Sequence, residues 1–225
     1  ECQDGVFTAN WALTWNGKAL LSKLPNLRQS EEDPSETALQ KLGYETQRSS
    51  VLFSGQGDAL QIGGSRVIMG SGYRSDPNAY KEVREWLGLE PIVIRAKPKR
   101  NWLKLGRPVR NAVTGLWDSY YYDIDLAIAV IRPDLIAVCF EALTHQSKMT
   151  IMELEGVGVI PVDLHEARYA LACNLVSTGE TVIMVDNAPL LEQHLLDHGL
   201  EVITLPNHEL RKGGGGFRCI SLSLY

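Results

Sequence analysis

The sequence predicts an α/β fold of repeated units packed around an axis. Three observations lead there. One order of elements (strand, tight turn, strand, helix, strand) recurs four times along the 225 residues. Hydrophobic residues make up 44% of the chain and charged residues 22%, the balance of a globular protein able to bury a sizeable core. Finally, every unit carries a polar residue early in its first strand: Asn10, Asp58, Asp125 and Asn174. Around an axis, equivalent positions point the same way, so these groups are expected to meet at one end. Taken singly, each also reads as an edge or cap side chain satisfied by nearby backbone.

The first unit is an alternating apolar stretch from Val6 to Trp15, a two-residue turn at Asn16-Gly17, and a return over Lys18 to Leu24. Asp33-Pro34 opens a helix over Ser35 to Leu42, Gly43 stops it, and Val51 to Phe53 reads as the closing strand. The second unit runs Asp58 to Ile62, turns at Gly63-Gly64, and returns over Arg66 to Met69; a helix over Pro77 to Leu87 and a strand over Pro91 to Arg95 follow. The third unit is Asp123 to Ile131, a turn at Arg132 to Asp134, and Leu135 to Phe140, with a helix over His145 to Glu155 and a strand over Val157 to Val162. A linking helix over Leu164 to Cys173 leads to the fourth: Asn174 to Ser177, Thr181 to Val185, a helix over Ala188 to His198, and Glu201 to Leu205.

Residues 97–118 break this rhythm as a basic insertion, with Lys97, Lys99, Arg100, Lys104, Arg107 and Arg110 around Trp102 and Trp117. It reads either as a lid over an anionic substrate or as an ordinary solvated loop.

The chain ends on Lys212-Gly-Gly-Gly-Gly-Phe-Arg-Cys219 and an alternating run to Tyr225. Four glycines let backbone pass close to a ligand. A thiol directly behind them, opening a strand equivalent to the others, is placed to act as a nucleophile and to join the polar set. A lone cysteine at a strand start also reads as an inert buried hydrophobe.

Several classes are excluded or disfavoured. A net charge of −5 argues against nucleic acid as a partner. No apolar run approaches the length of a membrane span. Cys2, Cys139, Cys173 and Cys219 show no C-x-x-C spacing, which disfavours zinc and a disulfide framework; a reducing, cytoplasmic setting is expected. Asn16-Gly-Lys18 lacks the Walker spacing, and no G-x-S-x-G elbow appears.

Five segments, taken together, resemble a known family: Asp4-Gly-Val-Phe-Thr-Ala-Asn10, Phe53-Ser-Gly-Gln-Gly-Asp58, Gly70-Ser-Gly-Tyr-Arg74, Asp123-Ile-Asp125-Leu and Gly-Gly-Gly-Phe-Arg-Cys219. They are similar to the motifs of the guanidino-group-modifying superfamily, the penteins, which includes arginine deiminase, dimethylarginine dimethylaminohydrolase and glycine amidinotransferase. The resemblance implies a five-module α/β propeller of strand-hairpin-helix-strand units around a pseudo-fivefold axis. On that reading residues 1–225 are one domain, with four complete modules and part of a fifth. Because the chain opens at Glu1-Cys-Gln-Asp without Met, inside a motif, its N-terminal part is expected to be missing.

The chemistry the resemblance implies is covalent and needs no metal or organic cofactor. A cysteine attacks the guanidinium carbon, an amine leaves, and the amidino-thioether is hydrolysed or passed to another amine. Carboxylates hold the guanidinium, and a histidine protonates the leaving group. Carried over by position, Cys219 is the nucleophile, Asp4 accepts from the substrate, Asn10 and Asp58 stand in its binding set, and Arg74 meets its carboxylate. Asp125 matches the Asp of the family's His-x-Asp.

Two positions depart from that pattern. Asp123 stands where the histidine belongs, and Ser54 where a carboxylate belongs. An ordinary Asp, with a pKa of about 3.9 against about 6.5 for His, is a poor proton donor at neutral pH. Burial beside Asp125 would be needed to raise it. Asp58 or Gln56 is a candidate to cover part of the role lost at Ser54. His145, His165, His194, His198 and His208 read as surface or cap residues. The expected partner is a small guanidino compound of arginine or methylarginine type; the competing expectation is a pentein that binds such a ligand, or a protein, without turnover.

Overall fold

The computed structural model describes residues 2, 4–101, 103 and 105–225, so Trp102 and Lys104 of the basic insertion lie outside the described residues. In the first unit, β1 (Ala12–Trp15) and β2 (Lys18–Leu21) form an antiparallel hairpin. Asn16 and Gly17 both take positive φ, 48° and 74°, as a two-residue hairpin turn with right-handed twist requires. Helix α1 (Glu32–Lys41) crosses over, and β3 (Glu45–Arg48) returns parallel to β2.

The other units repeat this plan. In the second, β4 (Ala59–Gln61) and β5 (Arg66–Gly70) are antiparallel, α2 (Ala79–Leu87) crosses over, and β6 (Glu90–Ile94) pairs parallel to β5. Next come β7 (Arg100–Asn101) and β8 (Arg107–Pro108), a short hairpin inside the basic insertion. The third unit has β9 (Ile128–Arg132), β10 (Leu135–Val138), α3 (His145–Met152) and β11 (Gly158–Pro161). The fourth has β12 (Val176–Ser177), β13 (Thr181–Val185), α4 (Pro189–Asp197) and β14 (Glu201–Leu205), before a last short helix, α5 (His208–Lys212). In all four sheets the second strand is central, antiparallel to the first and parallel to the third. Among the described residues no helix is long and apolar enough to cross a membrane.

Three expected elements form differently. Val51–Phe53 is not the closing strand of the first unit; β3 is, and its Glu-Thr-Gln-Arg side chains face mostly outward. The apolar run marks a core plug instead: Phe53 is fully buried against Leu13, Leu20, Val67 and Met69. The linking helix expected over 164–173 forms over residues 164–170, its last five, Glu166–Ala170, as a π-helix, and ends early at Leu171 with φ 61°. The run from Cys219 to Tyr225 is no strand. Side chains hold it at Ser223, whose N–H donates to Gln56 Oε1 and whose O accepts from Thr14 Oγ1 and Gln56 Nε2.

What positions the site is the tight turn ahead of each first strand. Single turns of 3₁₀ helix at Thr8–Asn10, Gly55–Gly57 and Ile124–Leu126 pack on one another. They place Asn10, Asp58 and Asp125, all buried, on the same side of the molecule.

Phe53 is the link between the first two sheets, so Phe53→Ala should destabilise the fold by about 3–5 kcal/mol. Urea unfolding would report this as a lower midpoint at unchanged slope; a loss below about 1 kcal/mol would show that the run does not plug the core.

Candidate active site

The glycine run brings Cys219 into place by close approach. A Cβ on Gly216 would lie 2.8 Å from Asn174 Oδ1, and one on Gly215 only 2.6 Å from the Phe7 ring. With no side chain in the way, the loop settles against Phe7 and Asn174. Asn174 then holds Cys219 twice: its Oδ1 accepts from the Cys219 backbone N–H at 3.2 Å, and its Nδ2 donates to Sγ at 3.1 Å. On the far side Sγ–H points to Asp125 Oδ2 at 3.6 Å. Cys219 O accepts from Ala9 N–H, tying the turn to the first unit. Burial, and then the charge of Asp125, push the thiol well above its ordinary range.

Asp123 lies two residues from Asp125 in sequence but in different company. Its Oδ1 accepts from Ser54 Oγ at 2.8 Å, and its Oδ2 accepts from Asn10 Nδ2 at 3.1 Å and Arg74 Nη1 at 3.3 Å. The two departures from the family pattern therefore meet: Ser54 and Asp123 are hydrogen-bonded to each other. The Arg74 guanidinium also stacks on Tyr122, 4.3 Å from the ring centre, and the Tyr122 hydroxyl donates to Gly214 O.

Asp58 and Asp125 lie beneath this layer. Asp58 accepts from Ile124 N–H and Ser75 Oγ, and burial, then the charge of Asp123, push its carboxyl up to about 7. Asp125 is 1% exposed, and burial, then the same charge, hold it well above the carboxylate range. Its Oδ1 is buried with no hydrogen-bond partner among the described residues.

Asp4 stands at the rim, its Oδ2 3.8 Å from Arg28 Nε. Arg28 is buried, forks onto Glu31 with two bonds of 2.8 Å, and donates to Asn10 Oδ1 at 2.9 Å. Asp4, Phe7, Asn10, Arg28, Arg74, Tyr122, Asp123, Gly213–Gly215 and Cys219 line one cleft. None of the five histidines lines it.

The structure thus brings Cys219, Asp123, Asp4, Asn10 and Arg74 to one cleft, with Asp58 and Asp125 directly below. Gln56 is placed elsewhere, bridging Arg218 and the C-terminal backbone. Arg28, Glu31 and Tyr122 are the residues that the repeat did not point to; Arg-x-x-Glu in a loop is too common a spacing to single out, and Tyr122 is one of three successive tyrosines. The basic insertion anchors beside Arg74, with Trp117 N–H donating to Gly72 O and Thr114 Oγ1 to Tyr73 O. None of its described residues lines the cleft.

The chain is similar to known proteins. The family described as arginine deiminase matches residues 135–225. The chain is 25% identical over 225 residues to the dimethylarginine dimethylaminohydrolase of Mycobacterium tuberculosis, covering 99% of this chain and 66% of that protein. It is 25% identical to the bifunctional arginine dihydrolase/ornithine cyclodeaminase AgrE of Nostoc, covering 97% of this chain and 29% of that one. The chain therefore spans less than two thirds of the length of these relatives. Among solved structures, the product-bound N-terminal domain of ArgZ, a cyanobacterial arginine dihydrolase, superposes with a TM-score of 0.84 at 25% identity, covering 98% of this chain and 75% of that one.

Asp58 sets a pH dependence. With its carboxyl raised to about 7, the folded chain keeps a proton that the unfolded chain has already released. This contribution is full below about pH 4, falls as pH rises toward 7, and then levels off. Asp58→Asn keeps an acceptor for Ile124 N–H and can donate to Ser75. Its stability should decline less than the wild type's between about pH 4 and 7, measured by urea unfolding across that range. Parallel curves would show that Asp58 does not hold the proton.

Proposed function

The chain belongs to the guanidino-group-modifying (pentein) superfamily, and on that premise we propose that it is a cysteine-dependent hydrolase of a guanidino C–N bond, with Cys219 as nucleophile. The observation that carries this reading is the Cys219 thiol, gripped by Asn174 and facing a carboxyl, at the floor of a cleft lined by Asp4, Asp123 and Arg74. An inert core thiol needs no such partners. The named activities of the relatives, on dimethylarginine and arginine, point to the same class of compound.

The cleft suits an arginine-like molecule by exchange of partners. Asp123 and Arg74 are paired with each other across 3.3 Å. A guanidinium entering the cleft takes the place of Arg74 on Asp123, and Arg74, released toward the rim, meets the carboxylate at the other end of the ligand. The charges stay matched throughout, so binding does not leave a buried charge unpaired. Sγ then attacks the guanidinium carbon, an amine departs, and water resolves the amidino-thioether. All four cysteines are free thiols, and a reducing cytoplasm would keep Cys219 in its active form.

The test is a panel of arginine and methylated arginines assayed for released amine and ureido product. At least one member should give product, and Cys219→Ser should abolish it. Ligands that bind without product would support a binding role instead. With that substrate, Arg74→Lys should raise KM about tenfold or more, because a point charge replaces the planar fork. An unchanged KM would remove Arg74 from substrate recognition.

A further inference from the structure

The cleft has no histidine, so the proton that a histidine would move needs another carrier. Asp123 occupies that position, yet its oxygens are engaged by Ser54, Asn10 and Arg74, and it makes no hydrogen bond to Sγ. Asp125 is the opposite case. One oxygen receives the thiol, and the other, fully buried, has no hydrogen-bond partner among the described residues. Resting on the cysteine-hydrolase reading above, we infer that Asp125 is the proton carrier of the reaction: it takes the Cys219 proton as sulfur attacks and hands it to the departing amine.

The step balances. In its reactive form the pair holds one proton, as Sγ–H and an Asp125 carboxylate, and the acid limb reports how much of that form is present. As the S–C bond forms at the guanidinium carbon, that proton moves to Oδ2, leaving a neutral tetrahedral adduct beside a carboxylic acid. The acid then protonates the leaving nitrogen, the C–N bond breaks, and an amidino-thioether cation stands beside a carboxylate again. In the second half, water adds to the same carbon and loses a proton to Asp125. The S–C bond then breaks, the adduct's hydroxyl proton returns to sulfur, and a ureido product leaves. The proton left on Asp125 passes to solvent.

The surroundings fit this use. Asp125 faces Cys219 and Cys173 from the neighbouring turns, Asp123 from its own turn, Asp58 from the second unit, and Arg218 as a cation. Burial, then the charge of Asp123, make it a stronger base than an ordinary carboxylate, as taking a proton from a thiol requires. The thiol stays protonated until the substrate arrives, because burial and Asp125 itself push it up.

The experiment compares wild type, Asp125→Asn and Asp123→Asn with L-arginine and asymmetric dimethylarginine as probes, beside alkylation of Cys219 by iodoacetamide at pH 7. In Asp125→Asn, amine release should fall about 10²–10⁴-fold. Alkylation should hold or quicken, since a negative charge beside the thiol is gone. The acid limb of kcat/KM, which Asp125 sets in the wild type, should vanish in Asp125→Asn and persist in Asp123→Asn. Asp125→Asn turning over within threefold of wild type, or keeping the limb, overturns the proton-carrier assignment and leaves the cysteine reading standing. Alkylation and turnover falling together also overturn it, since Asp125 would then only position the thiol. If the wild type gives no amine from either probe and Cys219 is inert, the cysteine reading itself falls. Should Asp125→Asn not fold, the wild-type limb is compared with the Asp125 titration followed by ¹³C NMR. Coincident midpoints support the assignment, and separate ones overturn it.

Discussion

One side-chain amide holds the site together. Asn174 uses its oxygen on the Cys219 backbone and its nitrogen on the Cys219 sulfur, so a single planar group sets both where the turn lies and where the thiol points. Everything else follows from that grip. It requires the neighbouring loop to pass without a Cβ at Gly216, which explains glycine there on steric grounds. It also requires Asn174 to be held, and the turn closed by Leu171 at positive φ does this, with Asn174 N–H donating to Leu171 O. From the fixed sulfur, among the described residues, Asp125 is the one within hydrogen-bonding reach on the opposite side.

The paired carboxyls show how neighbours decide chemistry. Asp123 and Asp125 are two residues apart and equally buried, so burial alone cannot separate them. Asp123 collects hydrogen bonds from a hydroxyl, an amide and a guanidinium. Asp125 has a thiol, a weak donor, and one oxygen with nothing. Desolvation therefore wins at Asp125. The Ser54–Asp123 pair satisfies itself internally and leaves Asp125, on the same turn, as the carboxyl that faces the thiol.

Most of the frame was legible in the sequence because its signals are local. Asn16-Gly17 demands a particular turn, Gly43 stops a helix by taking positive φ, and the polar residue ahead of each hairpin marks the turn that faces the cleft. The misreadings come from apolar runs, which report burial and not pairing. Val51 to Phe53 is apolar because it plugs a core, while the polar β3 does the pairing. The alternating run after Cys219 suggests a strand, yet side chains of Thr14 and Gln56 take the backbone of Ser223. In the site, position within the repeat identified Cys219, Asp125 and Asn10. It could not reveal Arg28 and Tyr122, whose roles arise only when distant segments meet.

The proposed reaction passes through a bond between Cys219 Sγ and a guanidino carbon. Mixing the protein with excess L-arginine or asymmetric dimethylarginine, quenching in acid within the first turnover, and weighing the peptides tests it directly. A mass increase matching an amidino adduct, confined to the peptide that carries Cys219, is expected. An unmodified Cys219 at every quench time while product accumulates, or an adduct on Cys2, Cys139 or Cys173 instead, would contradict it.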